Sequence, residues 1–119
     1  MAGSEKILGP DHPDTLVTVN GMANLSYRMG HHDEARKLFQ RALVGREKIL
    51  GPEHPLTLET VNNMALVRQA MGEHDEALQL FQRALAGREK KIGFGHPDTL
   101  KTLKCLVHLL SATGDSWPA

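Results

Sequence analysis

A His-Pro pair occurs three times in this chain at a constant interval. His12, His54 and His96 each precede a proline, and successive pairs lie 42 residues apart. Aligned at that spacing, residues 8–49 and 50–91 agree at about two-thirds of positions. Leu8-Gly9-Pro10 answers Leu50-Gly51-Pro52, and Leu38-Phe39-Gln40-Arg41-Ala42-Leu43 answers Leu80-Phe81-Gln82-Arg83-Ala84-Leu85. Residues 92–113 repeat only the first half of the unit. A fixed period of this length marks a stacked array, in which no unit can bury its apolar face alone.

Each unit reads as two helices joined by a tight turn. The first begins at Pro13, Pro55 and Pro97, since proline suits the first helical position, where its missing N–H is not needed. Asp14 and Asp98 follow, where negative charge favours the helix dipole. Leu58, Val61, Met64 and Ala65 recur at spacings of three and four, a helical stripe. Gly30, Gly72 and Gly114 are expected to end these helices in the left-handed conformation. The second helix opens near Asp33 and Asp75 and carries Ala77, Leu80, Phe81, Ala84 and Leu85 on one face. The pattern predicts helices near 13–29, 33–49, 55–71, 75–91 and 97–113, each roughly 25 Å long. Short connections place neighbours antiparallel. Ala65 and Ala77 are expected to face each other, with Ala84 against the next unit.

The chain is therefore expected to be one all-α domain over residues 1–119, an α-solenoid of about two and a half hairpins. Its units are 8–49, 50–91 and a partial 92–119. Residues 1–7 align with the end of the second helix, so they read as the remnant of a preceding one, and the segment reads as cut from a longer array. Lys+Arg and Asp+Glu both number 14. This balance gives no general attraction to nucleic acid or an anionic membrane, and neither partner is expected. No apolar run approaches the roughly 18 residues of a membrane span. The single cysteine, Cys105, cannot form an intrachain disulfide, which fits a reducing, cytoplasmic location.

Met64-Ala65, Gly72, Ala77, Phe81 and Ala84 stand where the tetratricopeptide repeat has its signature small and large residues. The unit length, the Leu-Gly-Pro-Glu-His-Pro linker and the Asn-Asn-Met-Ala segment resemble the longer repeats of kinesin light chains and related arrays. The resemblance covers nearly the whole chain. It implies a right-handed superhelix, first helices lining a concave groove for peptides, and no catalysis or cofactor. Ser26 and Arg68 depart from the family pattern, taking a place usually held by a large residue. So does Lys104-Cys105-Leu106, where Asn-Asn and an apolar residue are usual.

Projecting the family's concave positions selects Val17, Asn20, Asn24, Tyr27 and Arg28 in the first unit. The second gives Glu59, Asn62, Leu66 and Gln69, and the third Lys101, Lys104 and His108. An asparagine amide can bond both backbone groups of an extended peptide. Lys101, Lys104 and Arg28 suit an acidic side chain or terminal carboxylate. The plainer alternative is a solvated polar face. No metal site is expected: His12, His54 and His96 sit one per unit, roughly 10 Å apart, and read as linker-packing residues. His32 and His74 are expected to pack across the turn. Cys105 has cations nearby but no His-Asp set for nucleophilic work. Arg46-Glu47-Lys48 and Arg88-Glu89-Lys90-Lys91 read as solvated helix ends.

The last helix carries Leu100, Leu103, Leu106, Val107 and Leu110, which a partner helix would cover in a full unit. An uncovered stripe marks an interaction surface. Either Trp117 folds back over it or another molecule does. Two functions follow: an adaptor that binds short peptides, acidic ones included, or a scaffold that self-associates through residues 100–110, by helix exchange among other routes.

Overall fold

The computed structural model describes residues 12–113. Among them are five helices and no strand: α1 Pro13–Arg28, α2 His32–Leu50, α3 Pro55–Ala70, α4 His74–Ile92 and α5 Pro97–Thr113. Each bound lies within one residue of the sequence expectation. Every helix packs on its chain neighbours, and α1 also touches α3. The result is a stack of hairpins with first helices on one side and second helices on the other. Gly114, Trp117 and the expected remnant helix at 1–7 lie outside the described residues.

The repeating histidines start the first helices rather than packing the linkers. Nδ1 of His12, His54 and His96 accepts the backbone N–H of Asp14 (3.1 Å), Leu56 (3.1 Å) and Asp98 (3.0 Å). Nδ1 stands the same number of bonds from the backbone as an aspartate oxygen, so it satisfies one of the free donors of the first turn. Proline follows at the next position. At the far end, Gly30 and Gly72 take φ of 82° and 80°. The N–H groups of His31 and Glu73 then reach back to the carbonyls of Ser26 (2.8 Å) and Arg68 (2.9 Å), the pattern of a left-handed helix cap.

Helical spacing brings one buried residue per turn to each joint. Ala65, Ala77, Phe81 and Leu85 pack with Leu106, Leu109 and Leu110. Ala23, Ala35 and Phe39 pack with Met64 and Val67. Ala84 groups with Val61 of its own unit and Leu43 of the preceding one, so its cluster spans the joint behind it. Small residues set the helix separation. A Cβ on Gly45 would stand 2.6 Å from Leu16 Cδ2, and one on Gly87 2.7 Å from Leu58 Cδ1.

Each first helix also buries a threonine hydroxyl, on Thr15, Thr57 and Thr99, with no hydrogen-bond partner among the described residues. A lone buried hydroxyl costs desolvation that a methyl does not. Thr57→Val is therefore expected to be neutral or to stabilise by up to about 1 kcal/mol. Ala77→Leu, at a fully buried joint, is expected to cost about 1–3 kcal/mol through overpacking. Urea denaturation of the two variants beside the parent chain checks both signs.

Candidate functional site

The first helices α1, α3 and α5 supply the face on which the groove was expected. A cavity of about 300 Å³ opens between α3 and α5, lined by Leu66, Gln69, Lys104, Cys105 and His108. A second, of about 480 Å³, lies along α5 beside Pro97, Leu100, Lys101, Lys104 and Cys105. The two share Lys104 and Cys105. Lys101, Lys104 and His108 are exposed, and Leu66 and Gln69 are half-buried. Four expected residues, Leu66, Gln69, Lys104 and His108, thus meet at one place. Asn24, Tyr27 and Arg28 line neither cavity. Asn24 and Tyr27 are half-buried and Arg28 is exposed.

Asn20 and Asn62 are placed differently from the expectation. Asn62 is 1% exposed and Asn20 6%. Each is held inside the joint between units. The hydroxyl of Thr60 donates to Asn20 Oδ1 at 3.2 Å, and that of Thr102 to Asn62 Oδ1 at 2.9 Å. Each threonine oxygen in turn accepts from a buried arginine: Arg46 Nη1 to Thr60 at 2.9 Å, Arg88 Nη1 to Thr102 at 2.8 Å. The same nitrogens donate to the carbonyls of Leu56 (3.0 Å) and Asp98 (2.9 Å). An amide enclosed this way is not presented to a ligand's backbone.

Arg46 and Arg88 hold the joints by hydrogen bonds that the sequence pattern does not reveal. They stand in runs that read as solvated helix ends, yet both are buried. Burial pushes each guanidinium below the usual arginine value. Glu59 acts the other way on Arg46, and Asp98, Glu59 and Cys105 act the other way on Arg88. The partly exposed Arg83–Glu47 pair (2.6 Å) also crosses the joint, but ion pairs near the surface contribute little.

Cys105 is half-buried, and its burial pushes the thiol up, with Lys101 and Arg88 pulling the other way. Desolvation outweighs the cations, so the thiol is not an activated nucleophile. His32 packs its ring on Tyr27, with centroids 5.8 Å apart, as expected across the turn. His74 is exposed instead. Among the described residues no group of three or more His, Cys, Asp or Glu is placed to hold a metal.

The α5 stripe divides in two. Leu106 and Leu110, expected at the self-association surface, are buried against α4 within the chain. They lie on the side of α5 that α4 already covers. Leu100, Leu103 and Val107 remain 37–49% exposed. Their equivalents one and two units earlier, Leu58, Val61, Ala65 and Leu16, Val19, Ala23, are buried beneath the second helix of their unit.

The family model described as tetratricopeptide repeat matches residues 1–43, 16–90 and 57–119, and the chain belongs to that family. Tetratricopeptide repeats mediate contacts between proteins, so the chain is a protein–protein interaction module. More particularly, its relatives among solved structures are kinesin light chain-like. Kinesin light chain TPR-like repeats from Podosopora anserina share 28% identity over 95% of this chain and 54% of their own, with a TM-score of 0.76. A point-substituted form of those repeats shares 27% over 95% and 53%, with a TM-score of 0.79. BtubC (BKLC) from P. vanneervenii shares 19% over 94% and 45%, with a TM-score of 0.86, a likeness of fold alone. The chain thus spans about half the length of the structures it matches. Comparison with curated proteins returned no significant match.

The buried relay has a measurable signature. Removing both Arg88 and Thr102, as Arg88→Met and Thr102→Val, is expected to show a coupling of about 0.5–3 kcal/mol in a double-mutant cycle. Each single change costs the remaining member of the pair one bond, and the double change removes the pair together, while Asn62 Oδ1 loses its donor equally in both forms that lack Thr102 and so cancels from the coupling. Denaturation of the four forms gives the coupling directly.

Proposed function

We propose that the face of α1, α3 and α5 binds extended peptide segments, and that acidic groups of the ligand are held at its α5 end. The carrying observation is the cavity where Leu66 and Gln69 of α3 meet Lys104 and His108 of α5, with Lys101 in the adjoining one. Lys101 and Lys104 make no ion pair among the described residues, so their charge is available to a carboxylate. Leu66 and the Cys105 thiol supply an apolar floor beside them. A concave surface with apolar lining and a few convergent polar groups is the usual form of a ligand site. Fluorescence anisotropy with a dye-labelled acidic peptide is the test. Lys104→Glu is expected to weaken binding at least tenfold, about 1.4 kcal/mol, and raised salt to weaken it further. Unchanged affinity in Lys104→Glu would remove the basis for the reading.

A second reading rests on a separate observation, the uncovered Leu100, Leu103 and Val107. Their spacing of three and four forms one apolar seam, suited to a helix of a second copy. Sedimentation velocity is expected to show mass rising with concentration, and Leu103→Lys to return the chain to a monomer. A single monomeric species up to about 100 μM, which excludes association stronger than roughly 5.5 kcal/mol, counts against this second reading alone.

A further inference from the structure

The two complete units differ at one place in a concerted way. Leu16, Val17, Arg46, Ile49, Leu50 and Leu56 line a small hollow of about 60 Å³ between α1, the end of α2 and the start of α3. At the equivalent positions of the next joint, three are kept in kind, as Leu58, Arg88 and Ile92. The other three become charged: Val17 is answered by Glu59, Ile49 by Lys91 and Leu56 by Asp98. Val17, Ile49 and Leu56 are 40–56% exposed, so no packing need among the described residues explains their apolar character.

Leu56 is the clearest anomaly. Asp14 and Asp98 hold this position in the other two units, in the first helical turn, where an acid favours the dipole. Helix α3 has no acidic residue in its first turn. A local preference broken without local gain points to function.

Val17 and Lys101 occupy the same place in units one and three, at opposite ends of the proposed groove. We infer that Val17, Ile49 and Leu56 form an aliphatic anchor point at the α1 end, so that the bound segment carries an aliphatic side chain there and its acidic group at the α5 end. This inference rests on the groove reading. Two steps of roughly 10 Å each separate the ends, which an extended chain rising about 3.3 Å per residue spans in about six residues. Glu59 stands between the ends and disfavours an acid midway. The charge pattern of the face thus selects a ligand with separated apolar and acidic ends.

The test uses the full chain and two labelled peptides, one with a leucine six residues from a Glu-Glu pair and one with serine in place of that leucine, each made in both chain directions. The leucine peptide is expected to bind at least tenfold tighter in one direction. The triple variant Val17→Glu, Ile49→Lys, Leu56→Asp carries residues that the second joint already tolerates. It is expected to bind both peptides alike, at the affinity of the serine form. Leu56→Asp alone, which restores the acid of the other units, is expected to lose at least threefold and serves if the triple variant does not fold. Equal binding of the two peptides by the parent chain overturns the anchor and leaves the groove standing. A preference that survives in Leu56→Asp and in the triple variant also overturns the anchor. Absence of binding by either peptide overturns both.

Discussion

Every first helix in this stack has two apolar sides, and both must be covered. In α3 one side, Leu58, Val61 and Ala65, lies under α4, while Met64 and Val67 pack against Ala35 and Phe39 of α2. Where a covering helix is absent among the described residues, the equivalent side chains are open. Met22 and Leu25 of α1 and Met29 at its C-terminal cap are exposed, and so are Leu100, Leu103 and Val107 of α5. Burial of apolar surface contributes about 25 cal/mol per Å², and a hairpin that leaves one side wet forgoes that share. Stability in such an array comes from neighbours.

Apolar burial has no direction, so it does not by itself fix how far one hairpin turns against the next. The Asn–Thr–Arg relay does. Its bonds are directional, enclosed, and tied to the carbonyls of Leu56 and Asp98 at the start of the following helix. A buried guanidinium displaced from these acceptors would stand unpaired, at a cost of several kcal/mol. The relay therefore holds α3 and α5 at a set angle to their predecessors, which in turn sets the spacing of side chains across the face they share.

Period and helix positions were legible because the repeat states them twice and the proline and glycine signals agree. The histidine caps were not, since histidine is seldom the residue placed before a helix and only geometry shows Nδ1 turned inward. Asn20 and Asn62 sit at the border between open face and joint on the helical wheel, and nothing local tells which side claims them. The missing signal was comparison between units. Asn20, Arg46 and Thr60 recur unchanged as Asn62, Arg88 and Thr102, whereas Val17, Asn24, Tyr27 and Arg28 become Glu59, Leu66, Gln69 and Ala70. Positions that hold the stack repeat, and positions on the open face vary. The exposure of Leu56 was hidden for a related reason: its significance appears only beside Asp14 and Asp98.

The relay also bears on how such a chain can change length. Its three members are contributed by two consecutive units, the asparagine and arginine by one and the threonine by the next. A copy of one whole unit, inserted or excised by recombination in register, brings the donor half of one joint and the acceptor half of another. The severed ends then meet matching halves. Growth or shrinkage by 42 residues needs no new interface to be invented, only the old one copied.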